Sequence, residues 1–144
     1  MAQAKASKKI AASQHAVWTQ LSDMSTYEKW LTIHDRWYGE PPTQLAVGTR
    51  ATEQATIMGM ANKIEWVVEE VEAPSRLKIV GAGLAGAKIT FVLEVEPDGP
   101  DASVASIDAE FISQIMVGAI GAAVERAANK EVAASLDNLG GLLA

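Results

Sequence analysis

His34 is the first residue whose type and position could do chemistry. It follows a predicted short helix, and a neutral imidazole beside a cavity can act as a general base or bind a ligand carbonyl. The alternative, a surface histidine on a loop, is the one we favour, because histidine is often only partly buried. Asp35 is a weak candidate for an orienting partner, since neighbouring side chains rarely face each other and Arg36 competes for its carboxylate. His15, in the first turn of a predicted helix, should face solvent.

Glu53 is the second candidate acid or base. Alternation from residue 49 onward puts it on the same face as Ala51, Ala55 and Ile57, which predicts the covered side of a strand. A carboxyl group inside an apolar cavity could donate or accept a proton. A one-residue register error or a β-bulge would instead turn Glu53 to solvent, and we favour this outward alternative because strand boundaries are hard to place.

Aromatic residues indicate a binding pocket. The sequence has eight, of which four are Trp, and five of the eight fall between Trp18 and Tyr38. Such side chains combine a large apolar area with a polar edge, which suits a ligand pocket, although core packing explains any one of them alone. We predict that Trp30, Trp37 and Trp66 border a cavity. The predicted ligand-binding residues are Trp30, His34, Trp37, Tyr38, Glu53, Met58, Trp66, Phe91, Phe111, Ile120 and Val124.

Composition excludes several kinds of site. The 144 residues contain no cysteine, so disulfides, thiolate metal sites and thiol nucleophiles are absent. The two histidines are far apart, and we expect no metal site. The glycine-rich segment 81–86 precedes an alternating strand and not a helix with Lys-Ser or Lys-Thr, so a nucleotide loop fails its context test. We expect no cofactor.

Charge and hydropathy restrict the partners. The net charge is −6, and the only dense basic group is Lys5, Lys8 and Lys9, so we expect no nucleic-acid partner. The longest apolar stretch, 115–124, has ten residues and two glycines, which is too short for an integral membrane segment. No signal peptide is visible. These features predict a soluble, cytoplasmic protein, and we expect it to be a monomer or weak dimer.

The elements that must position these residues follow from periodicity. A weak strand at 4–12 precedes two short helices, the first capped by Ser13, and period-two alternation then marks strands up to Phe111. Residues 58–60 predict a hairpin turn. A long amphipathic helix ends the chain and should fray at Gly140-Gly141. Consecutive strands with tight turns predict an antiparallel α+β domain over 1–144, with the long helix covering one face of the sheet.

Several local phrases resemble one known superfamily. They lie at residues 16–23, 27–31, 47–50, 66–74 and 135–139. Together they resemble the START-like superfamily, also called SRPBCC or the polyketide cyclase/dehydrase and lipid-transport group. The resemblance implies a helix-grip fold: a curved antiparallel sheet of about six to seven strands around a long C-terminal helix, with two short helices after the first strand. The alanine-rich core expected under that helix should leave room for a ligand.

The resemblance leaves three functions open. The first is binding of a small or medium hydrophobic molecule, such as a lipid, polyketide or isoprenoid-like ligand, in a cavity between the sheet and the C-terminal helix. The second is a cyclase or dehydratase that uses His34 or Glu53. Cyclising members place polar groups such as Arg, Ser and Tyr in the cavity, and this chain has Val68 and Glu70 at the corresponding stretch. The third is a protein-interaction or chaperone-cofactor role, which an exposed apolar patch would indicate.

Overall fold

The secondary structure follows the predicted order. A computed structural model describes residues 2–83, 86–114 and 118–143. The strands are β1 (Ala2–Ile10), β2 (His34–Trp37), β3 (Arg50–Ile57), β4 (Met60–Glu72), β5 (Arg76–Ala82), β6 (Lys88–Pro97) and β7 (Ser103–Ile112). The helices are α1 (Gln14–Leu21), α2 (Tyr27–Trp30), which directly follows a 3₁₀ turn at Met24–Thr26, and α3 (Gly118–Leu143).

All seven strands form one antiparallel sheet in the order β1-β7-β6-β5-β4-β3-β2. From β2 to β7, strands that follow one another in the chain are neighbours in the sheet. The last strand, β7, also pairs with the first, β1. Alternate residues of the strands are buried, as in β6 and β7, because one face of the sheet carries the core. This arrangement, with α3 packed mainly against β1, confirms the predicted α+β helix-grip fold.

The β3–β4 turn shows how local sequence fixes the register. Met58 and Gly59 both have positive φ, 54° and 76°, as a two-residue turn of the mirror-image type requires. Ile57 pairs with Met60 directly across the turn, so the predicted hairpin is confirmed. Its register places Glu53 opposite Ile64, and both residues are buried.

The end of α3 differs from the prediction. The helix continues through Gly140 and Gly141 to Leu143, so the predicted fraying at the two glycines is wrong. Gly140 is buried against β1, where an added Cβ would lie 3.1 Å from Cε of Lys8. A glycine here lets the helix approach the strand closely, and tertiary packing holds the helical conformation that glycine alone disfavours.

The short helices pack on α3 and on the sheet, α1 against β6 and β7 and α2 against β2. Ser13 caps α1 as predicted, because its Oγ accepts a hydrogen bond from Ala16 N at 3.2 Å. The carboxylate of Asp23 caps the N-terminal end of the 3₁₀ turn. The largest buried side chains of this region are Trp30, Tyr27, Leu21 and Met24.

Candidate functional site

His34 begins a strand and does not lie on a loop. It pairs with Ala55 of β3, and this pairing directs its side chain into the protein, where it is 3% exposed. The surface interpretation that we favoured from the sequence is therefore wrong. Asp35, the next residue, faces the other way and accepts hydrogen bonds from Thr56 Oγ1 at 2.5 Å and Gln54 Nε2 at 3.2 Å. Asp35 is thus not the partner of His34.

Glu53 is the partner of His34. Its side chain is 1% exposed, so it lies on the covered face that the alternation indicated, and the outward alternative that we favoured is wrong. Oε2 lies 2.5 Å from Nδ1 of His34, and Oε1 accepts a hydrogen bond from Nε1 of Trp66 at 2.9 Å. We call His34, Glu53 and Trp66 the polar triad. It ties the inner faces of β2, β3 and β4 together.

The surroundings explain why the polar triad must be complete. A carboxylate enclosed by apolar side chains is costly unless its oxygens have partners, and here each oxygen of Glu53 has one. The ring of Trp37 lies beside His34, with centroids 5.2 Å apart, and the indole of Trp66 contacts Phe91 at 5.1 Å. The triad is therefore a fully hydrogen-bonded polar group among aromatic rings. We call the rings of Trp37, Trp66 and Phe91 the aromatic wall.

Among the described residues, Tyr27 carries the one buried side-chain oxygen or nitrogen without a hydrogen-bond partner. Its ring packs edge-on against Trp30 at 5.1 Å and tilted against Trp37 at 5.7 Å. The hydroxyl is fully buried and has no hydrogen-bond partner among the described residues. Burial, and then the negative charges of Glu53 and Asp23, raise the pKa of Tyr27 well above its ordinary value. The phenol is therefore held in its neutral form.

Replacing Tyr27 with phenylalanine is expected to leave the free energy of unfolding unchanged or to raise it by about 1 kcal/mol, because the hydroxyl has no partner to lose. Since its folded pKa is raised, Tyr27 contributes stability fully below about pH 10, the ordinary tyrosine value, and loses it as the pH rises further. Urea unfolding at neutral and at alkaline pH measures both effects.

The exposed Tyr38 provides the matched control, Tyr38→Phe. Above about pH 10 the wild type and Tyr38→Phe should lose stability more steeply than Tyr27→Phe. A marked loss of stability in Tyr27→Phe at neutral pH would show that the hydroxyl has a partner after all.

An apolar cavity lies at the end of the sheet that holds the β3–β4 turn. Its volume is about 60 Å³, and it lies between that turn, the start of β6, the end of β7 and α3. Its described lining residues are Ile57, Met58, Met60, Asn62, Ile64, Ala87, Ile89, Phe111 and Val124. Three of the predicted ligand-binding residues, Met58, Phe111 and Val124, are thus brought together.

The other predicted residues are not among the described lining residues of this cavity. Trp30, Trp37, Trp66, His34, Glu53 and Phe91 belong to the aromatic wall and core. Tyr38 lies on the outer surface, under the guanidinium of Arg36 at 4.5 Å and near Lys63. Ile120, on α3, is 57% exposed. A ligand-binding role for these residues stays a prediction.

Packing explains why the room expected in an alanine-rich core is so limited. Trp66, Phe91 and Phe111 follow one another across the inner face of the sheet, with centroid distances of 5.1 Å and 6.5 Å. They fill the space that small residues leave. The polar triad is nevertheless close to the cavity, because Ile64 lines it and is the register partner of Glu53.

Asn62 is the lining residue that sequence reasoning missed most clearly. β4 begins at Met60, directly after the turn formed by Met58 and Gly59. Extending the alternation of Ile64 and Trp66 backward by one step would have placed Asn62 on the inner face.

Residues 2–83, 86–114 and 118–143 lack two further kinds of site. Within these ranges, no cluster of three or more His, Asp or Glu side chains could hold a metal ion. None of the helices described there is both long and apolar enough to cross a membrane.

Comparisons with known proteins agree with this fold. A family model described as polyketide cyclase / dehydrase and lipid transport matches residues 1–144. A Mycobacterium tuberculosis protein named as a toxin is 30% identical over 138 residues, which make up 96% of this chain and 95% of that protein. The structure of a START superfamily protein from Mycobacterium smegmatis matches with a TM-score of 0.79 and 17% identity, covering 98% of this chain and 96% of that one. A Thermus thermophilus structure matches with the same TM-score, 16% identity and the same coverage.

The two structures show the fold alone, because their sequence identities are low. The family match covers the whole chain, and the Mycobacterium tuberculosis relative spans nearly all of it. The chain therefore belongs to the polyketide cyclase/dehydrase and lipid-transport family, within the START-like (SRPBCC) superfamily.

Proposed function

We propose that this protein binds a small hydrophobic molecule at the cavity beside the β3–β4 turn. The observation that carries the proposal is the composition of the wall: eight of the nine described lining residues are apolar. Such a wall favours an apolar ligand, since burying apolar surface contributes roughly 25 cal/mol per Å². A lipid, polyketide or isoprenoid-like ligand fits this chemistry.

The size of the cavity requires side-chain movement on binding. Small-molecule sites commonly enclose about 300–1,000 Å³, and the present volume is about 60 Å³. Met58 and Met60 line the cavity and are 51% and 58% exposed, so they form its mouth. Methionine is unbranched and adapts its shape readily. In this proposal the two methionines move aside and a ligand takes the space that they vacate.

The hydrogen bonds of the polar triad favour a structural role for these three residues within this proposal. Both carboxyl oxygens of Glu53 already have hydrogen-bond partners, and neither Glu53 nor His34 is among the described lining residues. A general acid or base must reach the reacting proton directly or through one water. We therefore assign the triad to holding Ile64 in the cavity wall, and we do not assign it to acid–base catalysis.

Ala87→Phe is expected to reduce the affinity for farnesol, an isoprenoid probe, by about tenfold or more, a loss of about 1.4 kcal/mol. Ala87 is half-buried, lines the cavity and precedes β6, so a phenyl ring there would occupy the ligand's place. The measurement is a titration followed by the methyl resonances of methionine. Met58 and Met60 should shift, and the buried Met24, which lies in the 3₁₀ turn, should not.

The matched control is Ala102→Phe. Ala102 is also a half-buried alanine outside the strands, but it follows β6 at the opposite end of that strand. This variant should bind farnesol as the wild type does. Equal farnesol affinity in Ala87→Phe and the wild type, or the absence of any shift at Met58 and Met60, would overturn the proposal.

A further inference from the structure

The cavity wall contains a single hydrogen-bonding side chain, Asn62, and no ionisable one among its described residues. A charged group of a ligand would lose its hydration there without gaining a partner, which is strongly unfavourable. The wall therefore selects against carboxylates, phosphates and amines inside the cavity. A ligand that enters fully must be uncharged.

The hydrogen bond that Asn62 already makes defines the group it can offer. Its Nδ2 donates to the main-chain oxygen of Met60 at 3.3 Å. Because Met60 O can only accept, the amide nitrogen must face it, and this fixes the orientation of the amide. The carbonyl oxygen Oδ1 makes no hydrogen bond to another described residue. Asn62 therefore presents an acceptor that has not been used.

From these contacts we infer that the ligand is a neutral, mainly hydrocarbon molecule with one hydroxyl group, and that Asn62 is the residue that recognises the hydroxyl. The inference rests on the proposed function, because it concerns the same cavity. Asn62 lies two residues beyond Met60 and is half-buried, so a hydroxyl bound to it would sit just inside the mouth. The hydrocarbon part would extend toward Ile64 and Phe111.

Three probes of similar size separate this inference from simple apolar binding: 4-propylphenol, 4-propyltoluene and 4-propylbenzoate. They carry a neutral donor, no polar group and an anion, respectively. The phenol should bind about three- to tenfold more tightly than the toluene, which is the range for one hydrogen bond, and the benzoate should bind most weakly. The methyl resonances of Met58 and Met60 report the titration in the intact protein.

Asn62→Leu replaces the amide with an apolar group of similar size, so the phenol should lose its advantage while the toluene binds at least as well as before. Gln54→Leu removes an amide from the outer surface of β3 and should leave the preference intact. Equal binding of the phenol and the toluene by the wild type, or an unchanged preference in Asn62→Leu, would overturn the inference and leave the proposed function standing. If none of the three probes nor farnesol bound, both would fall.

Discussion

Replacing Glu53 with alanine is expected to lower the free energy of unfolding by about 2–6 kcal/mol, because each of two buried groups left without its hydrogen-bond partner costs about 1–3 kcal/mol. The carboxylate is the shared acceptor of the polar triad. Its removal leaves Nδ1 of His34 and Nε1 of Trp66 in the interior without the oxygens that they face. Urea unfolding, followed by circular dichroism, gives the value directly.

The triad also predicts how other variants rank. Glu53→Gln keeps an oxygen for Trp66 and fills the same space, so it should lose less stability than Glu53→Ala. The matched surface control is Glu65→Ala, because Glu65 lies on the outer face of the adjacent β4 and is exposed. Its change should stay within about 0.5 kcal/mol. A loss below about 1 kcal/mol in Glu53→Ala would show that the triad does not stabilise this wall.

A coupling measurement separates the pair from its neighbours. Glu53→Gln, His34→Gln and the double variant form a cycle in which contacting, hydrogen-bonded residues give about 0.5–3 kcal/mol of interaction energy. A second cycle, in which a Glu65 variant takes the place of the Glu53 variant, should give no such interaction energy with His34→Gln. Only Glu53 touches the imidazole. A zero coupling energy for His34 and Glu53 would contradict the observed contact.

Alternation along β3 indicated the inner face for Glu53, although we favoured the outward alternative, because the strand boundaries that fix the face are hard to place. For its partner, His34, no such pattern existed. β2 has only four residues, and Asp35 and Arg36 give it a polar appearance. The burial of His34 comes from the pairing of β2 with β3 and from its contact with Glu53, 19 residues away, and the β2–β3 register shifts between His34 and Arg36. A short strand with an irregular register has no periodic signal of its own.

The same distinction holds for the cavity. The helix-grip fold could be predicted from periodic strands and local phrases that each involve near neighbours in sequence. The free volume depends instead on how Trp66, Phe91 and Phe111 pack across three strands, to within an ångström or two. Composition counts these rings without placing them, and packing at this density makes small shifts decisive. The predicted fold was therefore confirmed, whereas the predicted roomy core was not.

Gly81 is the residue on which that packing depends most directly, and Gly81→Ala should lower the free energy of unfolding by about 3 kcal/mol, at the upper end of the range for overpacking. Gly81 is buried in β5 and is the register partner of Trp66. An added Cβ would lie 2.5 Å from Cγ2 of Ile64 and 2.8 Å from Cε3 of Trp66. The Trp66 ring cannot move freely, because its indole N–H donates to Glu53 and its ring packs on Phe91.

Gly141→Ala tests whether this loss comes from the close contact or from the loss of glycine itself. Gly141 lies in α3, and an added Cβ there would meet no atom within 4 Å. Alanine should therefore raise the free energy of unfolding by about 0.5–1 kcal/mol, because it is the better helix former. The two substitutions are chemically identical and should differ in sign. The indole N–H resonance of Trp66 should shift in Gly81→Ala and stay in place in Gly141→Ala, because only the first forces the ring away from Glu53. An unshifted resonance together with unchanged stability in Gly81→Ala would mean that β5 and β4 can separate without disturbing the triad, and the tight β4–β5 packing described here would then be wrong.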